Sequence, residues 1–179
     1  MHNKLIELIQ EHALQYGEFK LSSGATSPYF IDMSKLTNHA EGLDLITAEI
    51  VRHLGRVGTD VDAIGGPAMG AAPLIGGTLI NHRRDNYGLA MSLRGFLVRK
   101  EAKDGEFIEG NLKIGDRILV VEDVVTTGRQ TKTAIERIEA AGGKVVKTIA
   151  VVDRLAGAAE LLERWNFTSL VTINQLLPP

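Results

Sequence analysis

Apolar residues along this chain follow two alternating rhythms, one helical and one strand-like. Between residues 3 and 16, Leu5, Ile6, Leu8, Ile9, Ala13 and Leu14 recur at helical spacing, and Gly17 is a natural stop. A second helix is predicted from about 39 to 54, with Leu43, Ile46, Ile50 and Leu54 facing inward and Gly55 ending it. The apolar, glycine-containing stretch from 70 to about 80 suits a helix packed closely on a sheet. Helices are also predicted over 128–141, ended by Gly142-Gly143, and over 156–165. Between them lie β-rich runs: Tyr29-Phe30-Ile31 after the turn-rich Ser22-Ser23-Gly24, Ala63-Ile64 before Gly65-Gly66-Pro67, then 89–92, 96–99, 118–121, 145–152 and 169–173. Polar residues 100–113 read as a mobile loop.

Strands that alternate with helices predict an α/β fold, a mainly parallel central sheet with helices on both faces. No repeat, low-complexity tract or linker divides the 179 residues, so a single domain over 1–179 is expected.

Composition narrows the field modestly. Twenty Lys plus Arg against 22 Asp plus Glu leave a net charge of -2, which gives no reason to expect nucleic-acid or membrane-surface binding. The chain has no cysteine, which excludes disulfides and thiolate metal sites. Acidic residues interrupt the early apolar runs, so neither a signal peptide nor a membrane span is expected, and the cytoplasm is the default location. His2, His12, His39, His53 and His82 fall on predicted helices or termini without ligand spacing, and no protein-built metal site is expected.

The chemistry concentrates in residues 117–131, RILVVEDVVTTGRQT. Ile118–Val121 is uninterrupted apolar, as in a central parallel strand buried on both faces. Glu122 and Asp123 stand at its carboxyl end, where open α/β sheets bind ligands. Adjacent carboxylates accept hydrogen bonds from vicinal hydroxyls, the pattern of a ribose. Thr126, Thr127, Gly128 and Thr131 then surround a helix start, where backbone N–H groups and the helix dipole favour an anion. Taken singly, an acidic strand end and a Thr cap are ordinary structure. Together, a sugar site and a phosphate site one turn apart point to a 5-phosphoribosyl group. No GxxxxGK[ST] and no GxGxxG after a strand competes with that reading.

This segment closely resembles the pyrophosphate-activated ribose signature of type I phosphoribosyltransferases. Phe19-Lys20-Leu21-Ser22-Ser23-Gly24 with Ser27-Pro28-Tyr29-Phe30, Gly66-Pro67-Ala68-Met69-Gly70, Arg99-Lys100-Glu101-Ala102-Lys103-Asp104 and Val152-Asp153-Arg154 follow in that family's order and resemble its orotate-specific members. The resemblance implies the family's fold with a small N-terminal hood. It also implies transfer of the phosphoribosyl group from 5-phosphoribosyl 1-diphosphate (PRPP) to orotate, in pyrimidine synthesis. By the same resemblance, Arg99, Lys100 and Lys103 are catalytic and bind the diphosphate. Glu122 and Asp123 hold the ribose hydroxyls, and Val124, Val125, Thr126, Thr127, Gly128, Arg129 and Gln130 form the phosphate loop. Phe30, Thr126 and Arg154 meet orotate. Mg²⁺ held mainly by substrate phosphates, and a homodimer whose lysines reach the neighbouring site, complete the implied picture.

On residues alone, Arg154 equally suits an ion pair with Asp153, Phe30 a place in the core, and Gly65-Gly66-Pro67 a turn without a ligand. The chain departs from the family where Lys103-Asp104 runs directly into Gly105-Glu106-Phe107-Ile108-Glu109-Gly110, leaving the loop short and without the family's His. Ser22 and Gly70 stand where some members carry lysines. A transferase for another base, and a non-catalytic PRPP-binding regulator, are the alternatives.

Overall fold

The computed structural model describes residues 2–20, 26–56, 61–85 and 93–178. Its centre is a six-stranded sheet built from β3 (Ala63–Pro67), β4 (Arg94–Lys103), β5 (Glu106–Gly110), β6 (Arg117–Val125), β7 (Lys144–Asp153) and β8 (Phe167–Thr172), in the order β5-β4-β3-β6-β7-β8. Every pairing is parallel except β4 with β5. From β3 the chain steps outward to β4, then returns to the other side of β3 for β6. That reversal puts the topological switch point, where open α/β sheets bind ligands, between the carboxyl ends of β3 and β6.

Ile118, Leu119, Val120 and Val121 are all fully buried, which accounts for the unbroken apolar run of β6. Successive strand residues point to opposite faces, and they split accordingly. Leu119 and Val121 join a core with Ile46 and Ile50 of α3 (Ala40–Arg56) and Leu74 of α4 (Ala71–Asp85). Ile118 and Val120 join a second core with Ile135 and Ile138 of α5 (Arg129–Ala140), Leu162 and Trp165.

The hood is a separate two-stranded antiparallel pair, β1 (Leu14–Lys20) with β2 (Thr26–Ile31), preceded by α1 (His2–Leu8) and a π-helical turn over Ile9–Ala13. The short α2 (Ser34–Thr37) follows it. The helix predicted to Tyr16 therefore ends at Ala13. Leu14 and Gln15 pair instead with Ile31 and Phe30, because cross-strand hydrogen bonds replace the helical ones that a continued helix would make.

Three further expectations change. Residues 100–113 contain a hairpin, since β4 and β5 join through Asp104-Gly105 with φ of 54° and 84°. Two positive φ values make the tight two-residue turn that suits right-twisted strands, and Asp-Gly is a strong signal for it. The helix expected over 156–165 is shorter, α6 (Ala158–Leu161) followed by a 3₁₀ turn Glu163–Trp165. Ile173 leaves β8 and opens α7 (Ile173–Leu176), where Thr172 and Gln175 form a capping box. The expected strand at 89–92 and the Ser22-Ser23-Gly24 turn lie outside the described residues.

Candidate active site

The carboxyl end of β6 carries the acidic pair. Glu122 is buried, with 8% of its surface exposed, and turns toward α5, where Thr131 Oγ1 donates to its Oε2 at 3.0 Å. Burial, and then the neighbouring charge of Asp123, push its carboxyl up to about 8. Thr131 is itself buried, so its hydroxyl serves Glu122 and not the helix-start anion site where sequence spacing had put it. Asp123 lies close beside Glu122, against the turn before α4. A Cβ on Gly70 would lie 2.6–2.8 Å from its carboxylate atoms, so a side chain at 70 would shift the Asp123 carboxylate from this position. Asp123 Oδ1 also accepts the backbone N–H of Val124 at 2.7 Å. At Gly66 a Cβ would fall 2.1 Å from the Val121 carbonyl, and this close approach brings the end of β3 against β6.

Beyond β6 the chain turns through Thr126, Thr127 and Gly128 into α5. Gly128 is the N-cap, with φ 75° and ψ 0°, and no side chain caps the helix. The first-turn N–H groups therefore keep their hydrogen-bonding capacity for an anion. Thr126, Thr127, Arg129 and Gln130 are exposed around them.

Arg154 follows β7, its N–H bonded to the Val125 carbonyl at 3.0 Å. It makes no ion pair with Asp153, whose Oδ1 accepts the N–H of Leu155 at 2.8 Å. Instead the guanidinium meets the hood: one terminal nitrogen donates to Ser27 Oγ at 3.3 Å, and the group lies 4.9 Å from the Tyr29 ring centre. Its Nε is buried and has no hydrogen-bond partner. Phe30, next along the strand, is 41% exposed and packs on Phe19 with ring centres 5.6 Å apart, so it is not a core aromatic. Ser27 and Tyr29 are thus the hood residues that contact Arg154, a pairing 127 residues apart in the chain for Ser27 that no local pattern announces.

The basic segment lies on the hairpin. Arg99 is engaged by Glu109, with Nε and a terminal nitrogen 2.9 and 2.8 Å from Oε2. Lys100 and Lys103 are exposed, and their ammonium groups have no ion-pair partner among the described residues. One chain therefore brings Glu122, Asp123, the 126–130 turn and Arg154 to the carboxyl ends of β6 and β7, while the lysines project on an arm.

The model of the phosphoribosyl transferase domain family matches residues 32–175. Orotate phosphoribosyltransferase of Methanosphaera stadtmanae is 36% identical over 97% of this chain and 94% of its own length. The enzyme of that name from Pyrococcus furiosus is 35% identical over 98% and 95%. Among solved structures, Mycobacterium tuberculosis orotate phosphoribosyltransferase in complex with 5-phospho-alpha-D-ribosyl 1-diphosphate superposes with a TM-score of 0.78 at 31% identity, covering 98% of each chain.

Proposed function

Because this chain belongs to the phosphoribosyl transferase domain family, and within it to the orotate phosphoribosyltransferases, we propose that it transfers the 5-phosphoribosyl group of PRPP to orotate. The products are orotidine 5′-monophosphate and diphosphate, in pyrimidine biosynthesis. N1 of orotate forms a bond to the anomeric carbon as the bond from that carbon to diphosphate oxygen breaks. The bonding electrons leave with the diphosphate, and the proton carried by N1 of the free base is released to the departing diphosphate or to water. No covalent intermediate on the protein is needed, so positioning and charge stabilisation supply the rate.

The observation that carries the choice of base is Arg154, held by the hood at the same carboxyl end of the sheet as the acidic pair, with a buried Nε that lacks a partner. A planar guanidinium pairs with a carboxylate through two parallel hydrogen bonds, and orotate is a base that carries a carboxylate. Thr126 and Phe30 flank the same pocket in this reading.

Glu122 and Asp123 take the ribose hydroxyls, and Val124 through Gln130 wrap the 5′-phosphate at the uncapped start of α5. Arg99, Lys100 and Lys103 meet the diphosphate, for which Arg99 exchanges Glu109. Mg²⁺ fits this donor set: two adjacent carboxylates with substrate phosphates and water suit an octahedral hard cation. When bound it offsets negative charge on the leaving group. Its charge also favours ionised Glu122, whereas a proton on Glu122 relieves repulsion with Asp123 in its absence. A single catalytic domain, a homodimer with shared sites and a cytoplasmic location complete the proposal.

The test mixes purified protein, Mg²⁺, PRPP and a panel of bases, and measures diphosphate release. Turnover with orotate and none with adenine, hypoxanthine or uracil is expected. Tight PRPP binding without turnover of orotate overturns the reading in favour of a regulator, and turnover of another base in favour of a different transferase.

A further inference from the structure

The basic hairpin is gripped at its waist by a residue outside every motif discussed above. β4 and β5 pair regularly from Phe96 with Gly110 to Val98 with Ile108, lose register, and pair again only at Lys103 with Glu106. At that break Arg137, from the second half of α5, reaches across. Its Nη1 donates to the Arg99 carbonyl at 2.6 Å, and its guanidinium lies 3.9 Å over the Phe107 ring. One side chain thus holds the backbone of β4 and a side chain of β5 together. Arg99 and Glu109 close the same gap on the hairpin's own side. The planar guanidinium combines a directed N–H bond with stacking of the same plane on a ring, which an ammonium does not.

Position along α5 gives this contact its consequence. The first turn of that helix forms the anion site after Gly128, and Arg137 stands two turns further on the same rigid element. The grip therefore ties the base of the arm to the rigid body of its own chain, from which the lysines project. Arg137 is only half-buried, and α5 is fastened to the core by Ala134, Ile135 and Ile138, so the fold does not depend on it.

Resting on the function proposed above, we infer that Arg137 is a positioning residue: it fixes the waist of the hairpin so that residues 100–103 present their cations to the diphosphate as a short, stiff arm. The short connection through Asp104-Gly105 is then compensated by rigidity at the base.

Arg137→Ala and Phe107→Ala break the grip from its two sides, the second without touching a helix. In each, kcat with orotate and PRPP should fall about ten- to a hundredfold, as expected when charged groups lose their placement. The KM for orotate should not change, and the thermal midpoint should stay within a few degrees. Arg137→Ala placed on Lys103→Ala should cost clearly less than the product of the two single losses, because both act through the arm while Lys100 remains on it. Unchanged kcat in both single variants, losses that multiply in the double variant, or a parallel rise in the orotate KM would overturn the inference. Wild-type turnover of orotate is the control for the function itself. Should that fail, amide exchange over residues 99–108 in the substrate-free protein still decides the grip. Faster exchange in Arg137→Ala supports it, and unchanged protection sinks it.

Discussion

Replacing Glu122 by Gln should stabilise this protein progressively as pH rises. The carboxyl is buried beside Asp123, and its titration moves from the ordinary 4.5 to about 8. Between those values the native chain holds a proton that the unfolded chain has released. Native stability from this group is therefore complete below pH 4.5 and is lost as pH climbs toward 8. Each unit of separation is worth about 1.4 kcal/mol. From pH 5 to pH 8 the accumulated loss is on the order of 4 kcal/mol, an upper figure because water entry and relaxation soften burial.

Glutamine keeps the shape and can still accept from Thr131, but it never ionises. At pH 5 the variant and wild type should unfold at nearly the same urea concentration. At pH 8 to 9 the variant should lead by a few kcal/mol, with the m-value unchanged. Its affinity for PRPP should fall over the same range, since the ribose hydroxyls lose a charged acceptor. A stability difference that is flat from pH 5 to 9 would refute the reasoning. A wild type that gains on the variant as pH rises would show that Glu122 is ionised and well paired.

Two other substitutions test neighbouring claims. Gly70→Ala puts a methyl 2.6–2.8 Å from the Asp123 carboxylate and should drive it off its bond with the Val124 N–H. At about 1.5–3 kcal/mol for a hydrogen bond to a charged group, the KM for PRPP should rise about ten- to a hundredfold with little change in melting temperature; an unchanged KM removes Asp123 from ribose binding. Arg94→Met strands Asp116, a buried carboxylate that Arg94 grips at 2.7 and 2.8 Å. Burial opposes the charge on Asp116, but Arg94 and the Lys113 N–H outweigh it and hold its titration below the usual range. The variant should lose about 3 kcal/mol in urea unfolding at neutral pH, and less in acid as Asp116 takes up a proton. A loss that does not shrink in acid would assign Arg94 a packing role.

How far the sequence could be read depended on the range of the interaction. The Ile118–Val121 run, the acids after it and the glycine turn into α5 were legible because each rests on near neighbours: burial on both faces, the end of a strand, a residue with positive φ. The comb of Leu43, Ile46, Ile50 and Leu54 announced α3 for the same reason. The Asp104-Gly105 turn went unread, because the polar residues around it suggested a loop and outweighed a two-residue hairpin signal. Leu14 shows the opposite case, since its helical spacing was overridden by pairing with Ile31 across the hood.

The side chains that complete the site were decided by the tertiary structure. Glu122 and Asp123 are adjacent in sequence, yet one turns to Thr131 on α5 and the other to Gly70 before α4, so only the first meets a buried hydroxyl. Arg154 finds Ser27 and Tyr29 instead of its neighbour Asp153, and Arg137 finds Arg99 and Phe107 across a break in a ladder. The sequence by itself determined the central parallel strands, the helices α3, α4 and α5 and the phosphoribosyl signature, because periodicity and turn chemistry act over a few residues; β1 and β5, which depend on cross-strand pairing, it did not. Which charged group faces which partner, and in what burial, depended on strand order, register and the seating of α5 and the hood, quantities set by the packing of the whole chain.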